Sequence, residues 1–199
     1  GFVSLEMTAK ELAMVAAQQG ANMSTQKFYR EIVSEYESRT LFAGFTEAGG
    51  LPIVVDDSSR LTAEQVSARV KQMARVDGCE VVFVDYAQRI AFQKGIGDTV
   101  EQLNHISTVL TQAAKETQIV VVALAQLNRG AAGEIPQLKD FKGSGQFEQD
   151  ANTALLLHRP KANEPGNVEE MEIHVAKQRR GLSQIHVTVK FHRHTQQIQ

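Results

Sequence analysis

Residues 80–88 read Glu80-Val81-Val82-Phe83-Val84-Asp85-Tyr86-Ala87-Gln88, and the rest of the predicted fold is arranged around them. Four of these residues, Val81 to Val84, are all β-branched or aromatic, with no polar residue among them. This pattern is typical of a parallel strand that is buried on both faces. The run stops at Asp85, and open α/β sheets bind ligands at the carboxyl ends of their strands. The simpler alternative is a buried strand followed by an Asp that opens a turn.

The chain around this strand alternates between predicted strands and predicted helices. A second fully apolar run predicts another buried strand, and two shorter runs predict its neighbours. Alternation of this kind is typical of βαβ units and therefore of a parallel sheet. The predicted strands are Phe2–Leu5, Pro52–Val55, Val81–Asp85 and Ile119–Ala125.

Helices are predicted between the strands from their amino-terminal caps. Thr8 with Glu11 and Thr62 with Gln65 both match the capping box, in which the two side chains bond each other's backbone N–H groups. Asp98 precedes a long segment with apolar residues at helical spacing and is a favourable N-cap. The predicted helices cover residues 8–19, 24–38, 41–48, a segment beginning at 62, and 98–117.

The second of these predicted helices, Ser24 to Ser38, carries an apolar stripe. Four residues fall on one face at helical spacing. A stripe of this kind predicts either core packing or a subunit contact. Its members are Phe28, Ile32, Val33 and Tyr36.

The last quarter of the chain has a different pattern, because predicted strands follow one another without helices. Ala154–His158, Glu172–Ala176 and Ile185–Phe191 are the predicted strands, and the last two alternate between apolar and polar residues. Alternation is typical of antiparallel strands with one exposed face. Between them lies a basic hairpin tip, Lys177-Gln178-Arg179-Arg180-Gly181. We therefore predict an α/β fold with a mostly parallel sheet flanked by helices and an antiparallel hairpin near its end, forming a single domain over residues 1–199.

Composition limits the class of protein. The 199 residues carry a net charge of −2 and are 42% hydrophobic, which is ordinary for a soluble globular domain. Without an overall basic charge, any DNA contact must come from local loops. The single cysteine, Cys79, excludes an internal disulfide and fits a reducing cytoplasm. No apolar run reaches the ~20 residues needed to span a bilayer, so we expect a cytoplasmic protein with no membrane partner.

Polar side chains follow three of the predicted parallel strands. Glu6, Asp85 and Gln126 each come at or just after a strand's carboxyl end, so neighbouring strands would bring them together at one sheet edge. A phosphate-hydrolysing site needs such a set: an Asp that holds Mg²⁺, a Glu that activates water, and an amide that senses the γ-phosphate. The alternative for Glu6 alone is a residue that begins a helix, where its charge suits the helix dipole.

Five ordered motifs carry a resemblance that covers nearly the whole chain. Together they resemble the RecA-like motor domain of DnaB-type replicative DNA helicases. Their order and spacing are far more specific than any one of them. The motifs are Ser4-Leu5-Glu6-Met7, Val84-Asp85-Tyr86-Ala87-Gln88, Ala125-Gln126-Leu127-Asn128-Arg129, the segment from Gly143 to Ala151, and Ala176-Lys177-Gln178-Arg179-Arg180-Gly181.

The resemblance implies a role for each residue of the site. Glu6 resembles the catalytic glutamate that polarises the attacking water, and Asp85 resembles the Walker B aspartate that binds Mg²⁺ with ATP. Gln126 resembles the glutamine that links the γ-phosphate to the DNA-facing loops. Lys177 and Arg179 resemble a basic pair that reaches in trans into the neighbouring subunit's ATP site, with Arg179 as the arginine finger. This arrangement implies a homo-oligomer, in this family a hexameric ring.

The resemblance also implies a DNA-facing segment. Residues 140–150 resemble the loop that lines the ring's central channel and holds single-stranded DNA. Gly143-Ser144-Gly145 leaves main-chain N–H groups open before a short helix, which suits phosphates, although an ordinary helix-starting loop has the same pattern. The family usually has Arg-Glu where this chain has Lys142-Gly143. The expected DNA-binding residues are Arg129, Lys142, Gly143, Ser144 and Gly145.

One family feature is missing from these residues. The phosphate-binding loop, G-x-x-x-x-G-K-[ST], occurs nowhere in the sequence. In the family it lies just upstream of the strand with which this chain begins, so we expect the first strand and this loop to belong to a longer protein. Without them the chain should bind ATP weakly or not at all. The resemblance also implies a primase and a helicase loader as partners.

Three hypotheses remain from the sequence. The first is an ATP-driven motor of a replicative helicase. The second is a non-catalytic RecA-like module that binds DNA or a partner, which the missing loop favours and which Glu6 and Arg179 oppose. The third is another RecA-like ATPase, such as a recombinase; Glu148-Gln149-Asp150 and the Lys-x-Arg hairpin fit the helicase better. A basic hairpin tip on its own is most often a solvated turn.

Overall fold

The computed structural model describes residues 1–24, 34–92, 95, 97–127, 134–141 and 145–199. The chain divides into two compact units. The first unit comprises Gly1–Thr8, Ile53–Leu156 and Val175–Gln184, and the second comprises Ala9–Pro52, Leu157–His174 and Ile185–Gln199. The prediction of a single domain over residues 1–199 stays a prediction.

The first unit is built on a four-stranded parallel sheet. Its strands are β1 (Phe2–Ser4), β2 (Val55–Asp56), β3 (Val81–Asp85) and β4 (Val120–Ala123), in the order β2-β1-β3-β4. Every neighbouring pair is parallel, as the alternation of strands and helices predicted. The predicted α/β fold with a parallel sheet is therefore confirmed. Strand β2 is shorter and later than predicted.

Two long helices of the first unit pack on one face of this sheet. They are α3 (Ala63–Arg75) and α4 (Thr99–Thr117). Both begin where their caps predicted: Thr62 and Gln65 form a capping box, and the Asp98 carboxylate accepts hydrogen bonds from two backbone N–H groups. These contacts satisfy donors that the first helical turn leaves without partners.

Strand β3 is buried on one face only, so the prediction of burial on both faces was wrong. Val82 and Val84 are fully buried and pack with residues of α3 and α4, such as Val66 and Leu103. Successive side chains of a strand point to opposite faces. Phe83 therefore lies on the other face, where it is 39% exposed and stacks against the Phe2 ring. The unbroken apolar run could not reveal this difference between the faces.

The second unit contains two helices that pack against each other, α1 (Ala9–Gly20) and α2 (Glu35–Gly49). They approach closely at Gly44, where a Cβ atom would collide with the backbone of Ala17. The capping box of α2 is formed by Ser34 and Glu37.

The boundaries of α2 correct two predictions. The predicted third helix, 41–48, begins six residues earlier, and residues 35–38 form its first turn rather than the end of the second predicted helix. Tyr36 is 78% exposed and is not part of a core stripe. The other stripe residues, Phe28, Ile32 and Val33, lie outside the described residues. The stripe from Phe28 to Tyr36 runs across Ser34 in the sequence, so helical spacing did not mark this boundary.

The end of the chain forms a second sheet. Its strands are β5 (Thr153–His158), β6 (Val168–Gln178), β7 (Ile185–His192) and β8 (Gln197–Ile198), in the order β5-β6-β7-β8. Three of them were predicted, although β6 is longer than expected. Strand β8 was not predicted, because it has only two residues, and it pairs antiparallel with β7. The first unit also contains a 3₁₀ helix at Leu138–Asp140 and α5 (Gly145–Asp150).

Candidate active site

Two carboxylates meet at the carboxyl ends of β1 and β3. Ser4 of β1 pairs with Asp85 of β3, and the Leu5 N–H donates a hydrogen bond of 2.8 Å to the Asp85 carbonyl oxygen. Glu6 is the next residue after Leu5. The parallel register therefore places Glu6 beside Asp85, as the sequence predicted from their positions at the ends of strands.

The charge of Glu6 acts on the carboxyl group of Asp85. Burial raises the pKa of the Asp85 carboxyl, and the negative charge of Glu6 raises it further. Both causes disfavour the ionised form of Asp85 in the absence of a cation. A cation at this edge of the sheet would offset both.

The third predicted residue, Gln126, lies three residues beyond β4, on the other side of β3. Strands β3 and β4 stay in register to their ends, with a hydrogen bond of 3.0 Å from the Leu124 N–H to the Val84 carbonyl oxygen. The backbone of Gln126 is then held by the Gln88 side chain through two hydrogen bonds of 3.2 Å. Glu6, Asp85 and Gln126 thus follow three adjacent strands of one sheet.

Sequence analysis missed two polar residues that contact this set. Gln88 binds Gln126, and the Arg89 guanidinium donates a hydrogen bond of 3.2 Å to Glu6. Arg89 also lies over the Tyr86 ring, 5.7 Å from its centre. Both residues belong to a 3₁₀ helix, Ala87–Arg89, directly after β3. Both residues lie shortly after Asp85 in the sequence, but the sequence does not show which groups they contact.

The predicted basic pair contacts the end of α5. Lys177 donates hydrogen bonds to the carbonyl oxygens of Glu148 and Gln149, the second at 3.0 Å. Arg179 donates one of 2.7 Å to the Gln149 carbonyl oxygen. The last carbonyl groups of a helix lack helical partners, and cations are favourable there. The pair is therefore not a freely solvated turn in this structure.

Helix α5 is also fixed at Asp150, its last residue. The Asp150 carboxylate accepts hydrogen bonds of 2.8 Å from the Ser107 hydroxyl of α4 and 2.9 Å from the Gln146 amide. Of the five predicted DNA-binding residues, Gly145 is the first residue of α5. The other four lie outside the described residues: Arg129, Lys142, Gly143 and Ser144.

In the described part of the chain, no group of three or more His, Cys, Asp or Glu side chains is arranged to hold a metal ion. No helix in the described ranges is long and apolar enough to cross a membrane.

Comparison with known proteins gives the family. The model of the DnaB-like helicase C-terminal domain matches residues 1–199. The chain belongs to this family. Among DnaB-like helicases, the curated relatives include the "Replicative DNA helicase DnaB" of Leifsonia xyli subsp. xyli, which is 34% identical over 185 residues, covering 90% of this chain and 40% of that protein. The "Replicative DNA helicase DnaC" of Bacillus subtilis is 29% identical over 184 residues, covering 89% of this chain and 40% of that protein.

Solved structures of DnaB-like proteins share the fold. "The Structure Of A DnaB-Like Replicative Helicase And Its Interactions With Primase" matches with a TM-score of 0.86 and 27% identity, covering 99% of this chain and 49% of that chain. A second solved structure, of an ATPase domain, matches with the same TM-score of 0.86 and covers 99% of this chain and 72% of that chain. The RecA-like architecture expected from the resemblance is confirmed. The chain spans 40% of the Leifsonia relative and 30% of the DnaB of Mycobacterium leprae.

Proposed function

We propose that this chain is part of the motor domain of a hexameric replicative DNA helicase. In this function, ATP hydrolysis drives translocation along single-stranded DNA and unwinds the duplex. The observation that carries the proposal is the position of Glu6, Asp85 and Gln126 at the carboxyl ends of three adjacent parallel strands, where the Glu6 charge raises the pKa of Asp85. Family membership over the whole chain supports the same function.

Glu6 is the proposed general base. A carboxylate at the strand edge accepts a proton from the attacking water, which contributes typically 10²–10⁴-fold to the rate of reactions of this kind. Its neighbour Arg89 supplies a positive charge and a hydrogen bond of 3.2 Å. Gln126 lies on the other side of β3, where its side-chain amide would contact the γ-phosphate.

Asp85 is the proposed residue for Mg²⁺ bound with ATP. The local chemistry fits this ion, because Mg²⁺ prefers oxygen ligands and is held by one or two carboxylates together with substrate phosphates. Burial and the Glu6 charge both raise the pKa of Asp85, so the ionised form would gain from a cation. When bound, the ion would neutralise charge on the transferring phosphate.

Lys177 and Arg179 are proposed to act in trans on the ATP bound by a neighbouring subunit. Arginine suits this role because its planar fork of donors matches phosphate oxygens. In the isolated chain both cations bind carbonyl groups at the end of α5. To reach the ATP of a neighbouring subunit, Lys177 and Arg179 would exchange these carbonyl contacts for phosphate contacts. Because the carbonyl groups belong to α5, this exchange would link the proposed arginine finger to the segment 140–150, which we propose faces the DNA.

The proposed partners follow from the same function. They are further copies of the chain in a hexameric ring, single-stranded DNA, a primase and a helicase loader. The DNA contacts are assigned to Arg129, Lys142, Gly143, Ser144 and Gly145. A solved DnaB-like relative, described together with its interactions with primase, supports the primase proposal.

The test is DNA-stimulated ATP hydrolysis by the full-length protein that contains this chain, because the chain spans only 30–40% of the curated relatives named above. Glu6→Gln and Asp85→Asn should each lower kcat by about 100-fold or more, since each removes a group that acts on the reacting phosphate or water. Glu80→Gln is the matched control, because Glu80 is an exposed carboxylate at the opposite end of the same strand. Equal activity of all three variants and the wild type would reject the motor and favour a binding module.

A further inference from the structure

We propose that the 3₁₀ helix Ala87–Arg89 is a two-armed positioning element of the ATP site, in which Gln88 holds Gln126 and Arg89 holds Glu6. The inference rests on the proposed function, because it assigns the two arms to the proposed base and the proposed phosphate sensor. It adds two residues to the site. It also explains how Glu6 and Gln126, which lie on opposite sides of β3, are held in fixed positions relative to each other.

The backbone of the short helix is held in place, and it carries both of the side chains that form the arms. Ala87 is fully buried, and Ile90, the residue after the helix, is 2% exposed. The Ala87 N–H donates a hydrogen bond of 2.9 Å to the Leu124 carbonyl oxygen near the end of β4. The Ile90 N–H donates one of 3.1 Å back to Ala87. Because the backbone is anchored in the core on both sides, Gln88 and Arg89 project from a rigid support.

The first arm is the Gln88 side chain, which binds both the N–H and the carbonyl oxygen of the Gln126 backbone. The Gln126 N–H donates to Oε1 of Gln88, and Nε2 of Gln88 donates to the Gln126 carbonyl oxygen, each at 3.2 Å. Pairing both groups of one residue with a single planar amide fixes the position and direction of that residue. The Gln126 side chain is not used in these two bonds. Gln88 therefore positions Gln126 without occupying the group that would contact phosphate.

The second arm holds Glu6. Arg89 donates a hydrogen bond of 3.2 Å to Oε1 of Glu6, while its guanidinium lies over the Tyr86 ring. The ring and the carboxylate restrain the long side chain from two directions. The pair is about half exposed, at 51% for Arg89 and 44% for Glu6, so it contributes little to stability. Its effect is to orient the Glu6 carboxylate and to offset the negative charge of Glu6.

The two arms start from adjacent residues. Gln88 reaches the strand end on one side of β3, and Arg89 reaches the strand end on the other side. Small displacements of catalytic groups reduce rates strongly, because reacting atoms must be aligned closely. Loss of either arm should therefore slow the chemical step while leaving ATP affinity nearly unchanged.

The experiment measures kcat and KM for ATP in DNA-stimulated hydrolysis by the full-length protein. Arg89→Met and Gln88→Leu should each lower kcat about tenfold with KM within about twofold, a split expected when positioning and not binding is lost. Arg89→Lys should recover most of the rate, since it restores the charge near Glu6. Lys71→Met is the matched control, because Lys71 also forms a partly exposed ion pair, with Glu116 at 2.6 Å. Glu116 lies at the end of α4 that leads into the start of β4, opposite the strand ends of the site.

The outcomes separate this inference from the proposed function. If Glu6→Gln is inactive while Arg89→Met and Gln88→Leu keep the wild-type kcat, the positioning role is rejected and the motor stands. If Glu6→Gln is as active as the wild type, the proposed function itself has failed. A loss of kcat that Arg89→Lys does not recover, accompanied by a lower unfolding temperature, would mean a structural role and would also overturn the inference.

Discussion

At Asp85, burial and a neighbouring charge both disfavour the ionised carboxylate. Burial raises its pKa, and the neighbouring Glu6 charge raises it further. Folding with Asp85 ionised therefore costs free energy, while folding with Asp85 protonated does not. The contribution of Asp85 to the free energy of unfolding is therefore most favourable below the ordinary pKa of an aspartate, about 3.9. It is lost as the pH rises through the raised pKa of Asp85 in the folded protein.

The raised pKa of Asp85 predicts how a substitution at this position changes thermal stability. In the absence of nucleotide and divalent metal, Asp85→Asn should raise the unfolding temperature at pH 7, because it removes a partly buried charge beside Glu6. The gain should shrink as the pH falls toward 4, where Asp85 takes up a proton in the wild type. Thermal unfolding between pH 4 and pH 8 measures both effects. A gain of the same size at every pH, or a loss at pH 7, would contradict the electrostatic account; Glu80→Gln should change neither.

The sequence predicted the site residues at the strand ends better than the residues that contact them. Glu6, Asp85 and Gln126 could be placed because each follows an apolar run, and parallel strands bring their carboxyl ends to one edge. Gln88 and Arg89 could not be assigned, because their targets depend on the direction in which a short 3₁₀ helix leaves β3. That direction is set by the burial of Ala87 and Ile90, and this burial cannot be predicted from a sequence motif.

Among the elements, β6 carries a buried carboxylate that helps to hold the second unit together. Glu169 is 7% exposed and accepts hydrogen bonds from both Arg159 and Arg193. Arg193 also donates to the carbonyl oxygens of Lys161 and Glu164, at 2.6 and 2.7 Å. Burial raises the pKa of Glu169, but the hydrogen bonds and charges of the two arginines outweigh it, so the net pKa is lowered.

Neutralising Glu169 should therefore destabilise this unit. We expect Glu169→Gln to lower the free energy of unfolding by about 2 kcal/mol at pH 7, because it weakens charged hydrogen bonds to two arginines. A lowered carboxyl pKa stabilises above the ordinary value and is lost as the pH falls, so the difference from the wild type should fade in acid. Urea unfolding at pH 7 and pH 4 measures this. Glu170→Gln on the exposed side of the same strand is the control, and an equal effect of both would contradict the assignment.

The elements were predictable where local chemistry defines their ends. Thr62 with Gln65 and Asp98 cap the two long helices of the first unit, and both starts were predicted from these residues. The start of α2 was missed, although Ser34 and Glu37 form the same kind of cap. There, the apolar spacing continues across Ser34, so it predicts a helix on both sides of the true boundary.

For the whole molecule, the class of fold followed from the order of strands and helices, whereas the burial of the sheet did not. The apolar runs of β3 and β4 predicted two covered faces, yet Phe83, Val120 and Val122 are between 36% and 57% exposed. An apolar run indicates that a face of the sheet is suited to burial. It does not show which segment, of this chain or of another copy, would cover that face.

At the scale of the assembly, we propose one ATP-hydrolysing site whose carboxylates come from one subunit and whose basic pair comes from the next. The measurement that tests it most directly is DNA-stimulated ATP hydrolysis by mixed full-length variants, Glu6→Gln and Arg179→Ala, with each variant alone as the control. Each should be inactive alone. In a randomly mixed ring about a quarter of the interfaces would join an intact Glu6 to a neighbour's intact Arg179, so the mixture should regain part of the wild-type activity. A mixture that assembles yet stays as inactive as its components would contradict a shared site, and full activity of Arg179→Ala alone would contradict the role of the arginine.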